Sequence, residues 1–128
     1  MEEFKGGFEN LQVWKEARNY RIAISSLAKS FPPEEKFRLT DQLLRSSRSI
    51  TANIAEGYGR FRYKENIKAC RMARGSLLET IDHLICARDE NYIDEIKLSE
   101  LKKQAEHILK ILNGYIKYLK MKKDESHD

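Results

Sequence analysis

From Leu11 to Leu119 the apolar residues fall three or four positions apart, and only three short places interrupt them: Pro32-Pro33, Gly57-Tyr58-Gly59 and Asn91-Tyr92. That period belongs to α-helices with one buried face, and no stretch alternates apolar with polar residues as a half-buried strand would. Leu11, Trp14, Ala17, Tyr20, Ile24, Leu27 and Phe31 form the stripe of a first helix over about 10–31, with Asn10 as its expected N-cap. Pro32 and Pro33 stop it, because a residue before proline avoids the α region. Leu39, Leu43, Ser47, Ile50, Ile54 and Gly57 make the seam of a second helix over about 37–58. Ser46, Ser47, Ser49, Ala52 and Ala55 keep it slim, so a neighbour can come close and this helix is expected to be the most buried. The third helix, about 63–91, carries Ile67, Cys70, Leu77, Ile81 and Leu84, widened by Ala69, Met72, Ala73, Ser76 and Thr80. The fourth, about 94–121, turns Ile96, Leu101, Ala105, Ile108, Leu112, Tyr115, Ile116 and Leu119 inward, and the charged tail 122–128 is expected to fray. Four such helices with short connections predict an all-α, up-down-up-down antiparallel four-helix bundle, a single domain over residues 1–128.

Composition narrows the functional classes. With 34% charged residues, no apolar run approaches the roughly 20 needed to cross a bilayer, so no membrane partner is expected. MEEFKGGFEN has no basic flank leading into an apolar stretch, and a cytoplasmic protein is the expectation. Cys70 and Cys86 lie sixteen residues apart on one helix. That is roughly 24 Å, far beyond disulfide reach, so buried free thiols in a reducing compartment are expected.

The catalytic inventory is thin. The histidines are His83, His107 and His127, and no serine stands in a strand–turn–helix elbow. His83 and Cys86, three apart, could share a face with Glu79, but the ligand set of a di-metal bundle is absent, and Cys86 reads better as a small core residue. No catalytic residue, metal, cofactor or small-molecule substrate is expected.

The stretch ITANIAEGYGR, residues 50–60, could be a helix ending in a turn or a glycine loop that holds a phosphate. Phosphate loops follow a strand and carry Lys-Ser or Lys-Thr after the last glycine, and neither condition is met. Gly57 and Gly59 are therefore expected to cap the second helix with positive φ angles. Glu56 lies near the inward face, where a carboxylate needs a partner. Arg74 on the third helix is one candidate, within the chain or across a subunit interface; two solvated charges are the other reading. Asn53, Glu56, Gly57, Gly59 and Arg74 are assigned structural or interface roles.

Net charge is only +4, yet between Arg38 and Arg74 nine basic residues face three acids. Lys64, Lys68 and Arg71 share a helical face that continues into Arg60 and Arg62, with Tyr58, Phe61 and Tyr63 interleaved. Cations that track phosphates beside aromatics that stack on bases are what single-stranded nucleic acid binding uses. Five lysines between Lys110 and Lys123, with no acid among them, form a second patch. The other reading of both patches is solvated surface. Any binding is expected to follow backbone and shape, since no base-reading motif is present.

NLQVWKEAR, FPPEEKFRLTDQLLRSSRSITANIAEGYGR and KENIKACRMARGSLLET resemble the bacterial 23S rRNA intervening-sequence proteins over roughly residues 8–92. The resemblance implies an antiparallel four-helix bundle that assembles as a homopentamer, without an enzymatic activity. That family is similar to the accessory proteins of diversity-generating retroelements, which implies RNA or DNA, and a reverse transcriptase, as partners to consider. Three residues depart from the family pattern. Thr51 replaces a usual proline, so the second helix should lack a proline kink. Arg62 lies near where the family often has Ser or Thr, leaving the third helix poorly capped, and Arg48 stands at a typically apolar position.

Overall fold

The computed structural model describes residues 7–126. The N-terminal residues 1–6, read above for a leader, and His127 lie outside the described residues. Four helices run α1 Gln12–Ala28, α2 Leu39–Gly59, α3 Tyr63–Asp89 and α4 Glu95–Ser126, with short 3-10 turns at Phe8–Asn10 and Pro33–Glu35. No strand occurs among the described residues. Each helix packs on its sequence neighbour, and α4 returns beside α1. This is the antiparallel four-helix bundle that the periodicity implies.

The stripes meet in one core. Tyr20 and Ile24 of α1, Leu43, Ile50 and Ile54 of α2, Leu77 and Leu84 of α3, and Ile108 and Leu112 of α4 are all fully enclosed. The most extensive packing is between α2 and α3. There the small residues let hydroxyls meet: Thr80 Oγ1 lies 2.8 Å from Ser46 Oγ, and Ser76 Oγ donates to Ser49 Oγ at 2.9 Å. Thr51 is buried and its hydroxyl accepts from Arg21 Nη1 at 2.9 Å, which ties α1 to α2.

Several local expectations are corrected. Asn10 sits in the first 3-10 turn, and Leu11 precedes α1 without a side-chain cap. The first helix ends at Ala28, three residues before the expected stop. The fourth extends through Ser126, past the expected end near residue 121. Met72 and Ile96 are exposed, at 56% and 72%. Ile96 lies in the first turn of α4, and Leu98 takes the inward place. Cys70 is buried but Cys86 is exposed, so it is not a core residue.

The far end of the bundle is tied by polar contacts. Asn91 takes the left-handed conformation at φ 64, and Tyr92 N–H donates to Ala87 O while Asn91 N–H donates to Arg88 O. These are the two bonds of a Schellman C-cap. Tyr92 Oη then donates to Glu35 Oε2 at 2.7 Å, and the other Glu35 oxygen accepts from Leu39 N–H at 3.2 Å, at the start of α2. At the start of α4, Asp94 accepts from Lys97 N–H at 2.8 Å as an N-cap.

Candidate nucleic-acid interface

The corner between α2 and α3 is not built as expected. α2 continues through Gly57 and Gly59, and Arg60 follows at φ −75. The chain reverses instead at Phe61, φ 61, a left-handed conformation that costs a non-glycine residue roughly 1 kcal/mol. Gly57 serves packing: a Cβ there would stand 2.7 Å from Asn66 Oδ1 and 2.8 Å from Ala69 Cβ. Gly59 has open space around it. Arg62, at the N-cap position of α3, takes extended backbone, and its side chain makes no capping hydrogen bond.

Glu56 does not face inward. Its side chain is about half exposed, and Oε2 accepts from Arg60 Nη2 at 2.9 Å. That bond, followed by the carboxylate's charge, raises the Arg60 pKa. Within the chain Arg74 has a different partner, donating from Nη1 to Asn113 Oδ1 at 2.8 Å across α3 and α4. Asn53 stays on its own helix, its amide donating to Ser49 O and Oγ, each at 2.9 Å. Asn66, which sequence reasoning passed over, bridges α3 to α4 by donating to Tyr115 Oη at 3.3 Å, and lies against Gly57.

Of the five basic residues expected to bind nucleic acid, four divide between two concavities, and Arg62 lines neither. Arg60 and Lys68 line one on the α2–α3 side, together with Glu56 and Glu65, so its two cations meet two carboxylates. Lys64 and Arg71 line the other, where α3 passes α4, together with Lys120 and Lys123. This groove of about 360 Å³ has Ile67 in its lining and Asp124 as its one carboxylate against four cations. Antiparallel packing brings the start of α3 beside the end of α4, and so joins the two patches that lie some 50 residues apart in the chain. Of these two, the α3–α4 groove is therefore strongly cationic and the α2–α3 concavity is balanced. Of the corner aromatics, Tyr58 and Tyr63 are half-buried, while Phe61 is 84% exposed.

His83 Nε2 lies 3.1 Å from Glu79 Oε2 on the surface of α3. No group of three or more His, Cys, Asp or Glu that could hold a metal occurs among the described residues. No helix among them is long and apolar enough to cross a membrane.

A crystal structure of a protein of unknown function from the S23 ribosomal protein family of Bacteroides thetaiotaomicron has a similar fold. It superposes with a TM-score of 0.76 at 27% identity, covering 82% of this chain and 95% of that one. No curated protein matches the chain. Neither the solved relative nor the family description names an enzymatic activity. The model of the 23S rRNA-intervening sequence protein matches residues 9–114, from the first 3-10 turn well into α4, and the chain belongs to that family.

Proposed function

We propose that the chain is a non-enzymatic, self-assembling bundle protein that holds the phosphate backbone of RNA or DNA in the α3–α4 groove. The observation that carries this reading is the convergence of Lys64, Arg71, Lys120 and Lys123 on one groove with a single opposing carboxylate. Lysines act there as point charges, and the Arg71 guanidinium offers a planar fork that matches two phosphate oxygens. Contacts of this kind release counterions and carry little sequence information. In a homo-oligomer such as the proposed pentamer the groove would repeat, and its phosphate contacts would add.

The test is a titration of fluorescent single- and double-stranded RNA and DNA at two salt concentrations. It compares the wild-type chain with a variant carrying Lys64, Arg71, Lys120 and Lys123 changed to Ala, the assembly of both checked by light scattering. The expected result is binding at low salt that weakens steeply with added salt. In the variant, binding is lost or its slope of log K against log salt is flatter by about 3 for a single strand. Wild-type protein that binds no nucleic acid at low salt would end this reading. A protein-interaction scaffold would then take its place, favoured by Phe37 and Ile96, which are 83% and 72% exposed at the opposite end of the bundle.

A further inference from the structure

Phe61 is unusual in three respects at once. Its ring is 84% exposed, its backbone is left-handed at φ 61, and it stands between Arg60 and Arg62, three residues before Lys64 in the cationic groove. Burial does not account for the side chain, since the ring contributes nothing to the core. Backbone preference does not account for it either, because glycine would adopt this φ without strain. A residue that is both strained and exposed is the kind of position where function overrides local stability.

We propose that Phe61 is a base-stacking platform at the mouth of the α3–α4 groove, and that the groove's ligand is single-stranded nucleic acid. This rests on the groove reading above. Phosphates running along Lys64 and Arg71, two helical turns or roughly 10 Å, leave the adjoining base free to meet the ring of Phe61. A base in a duplex is already stacked on both faces and cannot do so without leaving its neighbours. An aromatic face accepts any base, so the site discriminates strandedness and not sequence. The N-terminus of α3 adds positive potential at the same corner.

The test uses the full chain and compares Phe61→Gly, Phe61→Ala and Phe61→Tyr with the four-residue groove variant. The probes are a fluorescent single-stranded RNA of mixed sequence and its duplex. Phe61→Gly and Phe61→Ala are expected to weaken single-strand binding about tenfold and to leave duplex binding unchanged. Phe61→Tyr, which keeps the ring, is expected to restore the single-strand affinity. Phe61→Gly should also leave the Tm equal or higher, which separates lost stacking from lost folding. Equal losses on both probes, or no loss on either, would overturn the stacking role while leaving the groove reading intact if the groove variant still loses binding. A changed assembly mass in the Phe61 variants would assign the ring to a contact between chains and overturn the proposal.

Discussion

Gly57 of α2 and Ala69 of α3 approach so closely that a methyl group on Gly57 would lie 2.8 Å from the Ala69 Cβ. That distance is well inside contact, and Asn66 O stands at 3.2 Å on the same side, so the two helices would have to part. Gly57→Ala is therefore expected to destabilise the bundle by about 1–3 kcal/mol, the usual cost of overfilling a packed interface. Gly59→Ala is expected to do the opposite. Gly59 lies in the last turn of α2 with open space around it, so alanine's helix preference should add up to about 1 kcal/mol. Urea unfolding of the two variants checks both signs. A destabilised Gly59→Ala would mean that this glycine, and not Phe61, absorbs the reversal of the chain.

Tyr20 is fully buried, and among the described residues its hydroxyl has no hydrogen-bonding partner. Burial alone pushes its pKa upward. A buried hydroxyl without a partner costs more than the ring gains from carrying it. Tyr20→Phe is expected to raise stability by roughly 1 kcal/mol, read as a higher urea midpoint at constant m. A lowered midpoint would show that the hydroxyl has a bonded partner in solution.

What was legible in the sequence was whatever a single helix decides alone. Leu43, Ile50 and Ile54 could be placed inside because a period of 3.6 fixes which residues share a face, and all three are enclosed. Two neighbouring helices decide the rest. Gly57 looks like a cap in isolation; only the docked Asn66 and Ala69 reveal it as a point of close approach. Glu56 reads as near the inward face of a helix rich in small residues, but lies beside Arg60 on the outer face. Both basic patches could be counted along the chain. Their union depended on the register of α3 against α4, which no single-helix pattern encodes.

The bond from Tyr92 Oη to Glu35 Oε2 gives stability a pH dependence with two edges. Tyr92 as donor, then the Leu39 N–H, lowers the Glu35 pKa from 4.5. The same bond is the main cause that raises the Tyr92 pKa from 10.0 to about 12. The Glu35 contribution is present above pH 4.5 and is lost as pH falls through its lowered value. The Tyr92 contribution is complete below pH 10.0 and is lost as pH rises toward about 12. The stability difference between wild type and Tyr92→Phe should therefore be flat between those limits and shrink at both ends. Taking the difference cancels the titration of Tyr20, which both proteins share. Tm measured across pH for the pair checks this, and a difference independent of pH would mean that the bond is not kept in solution.

The placement of charge, as distinct from its amount, separates the groove from the balanced concavity beside it. Arg60→Ala with Lys68→Ala removes two cations from a concavity that also holds Glu56 and Glu65. Lys120→Ala with Lys123→Ala removes two from the groove, where Asp124 is the single acid. Both double variants lower the net charge of the chain by the same amount. General attraction to a polyanion would weaken equally in the two. If the phosphates lie in the groove, losing two of its four cations should flatten the salt slope for single-stranded RNA by about 1.4, while the Arg60/Lys68 variant should change it far less. The Arg60–Glu56 pair is exposed, and surface pairs of this kind contribute little to stability, so both variants should keep a wild-type Tm. Equal salt slopes in the two would sink the groove assignment and return the interaction to the net charge of the whole surface.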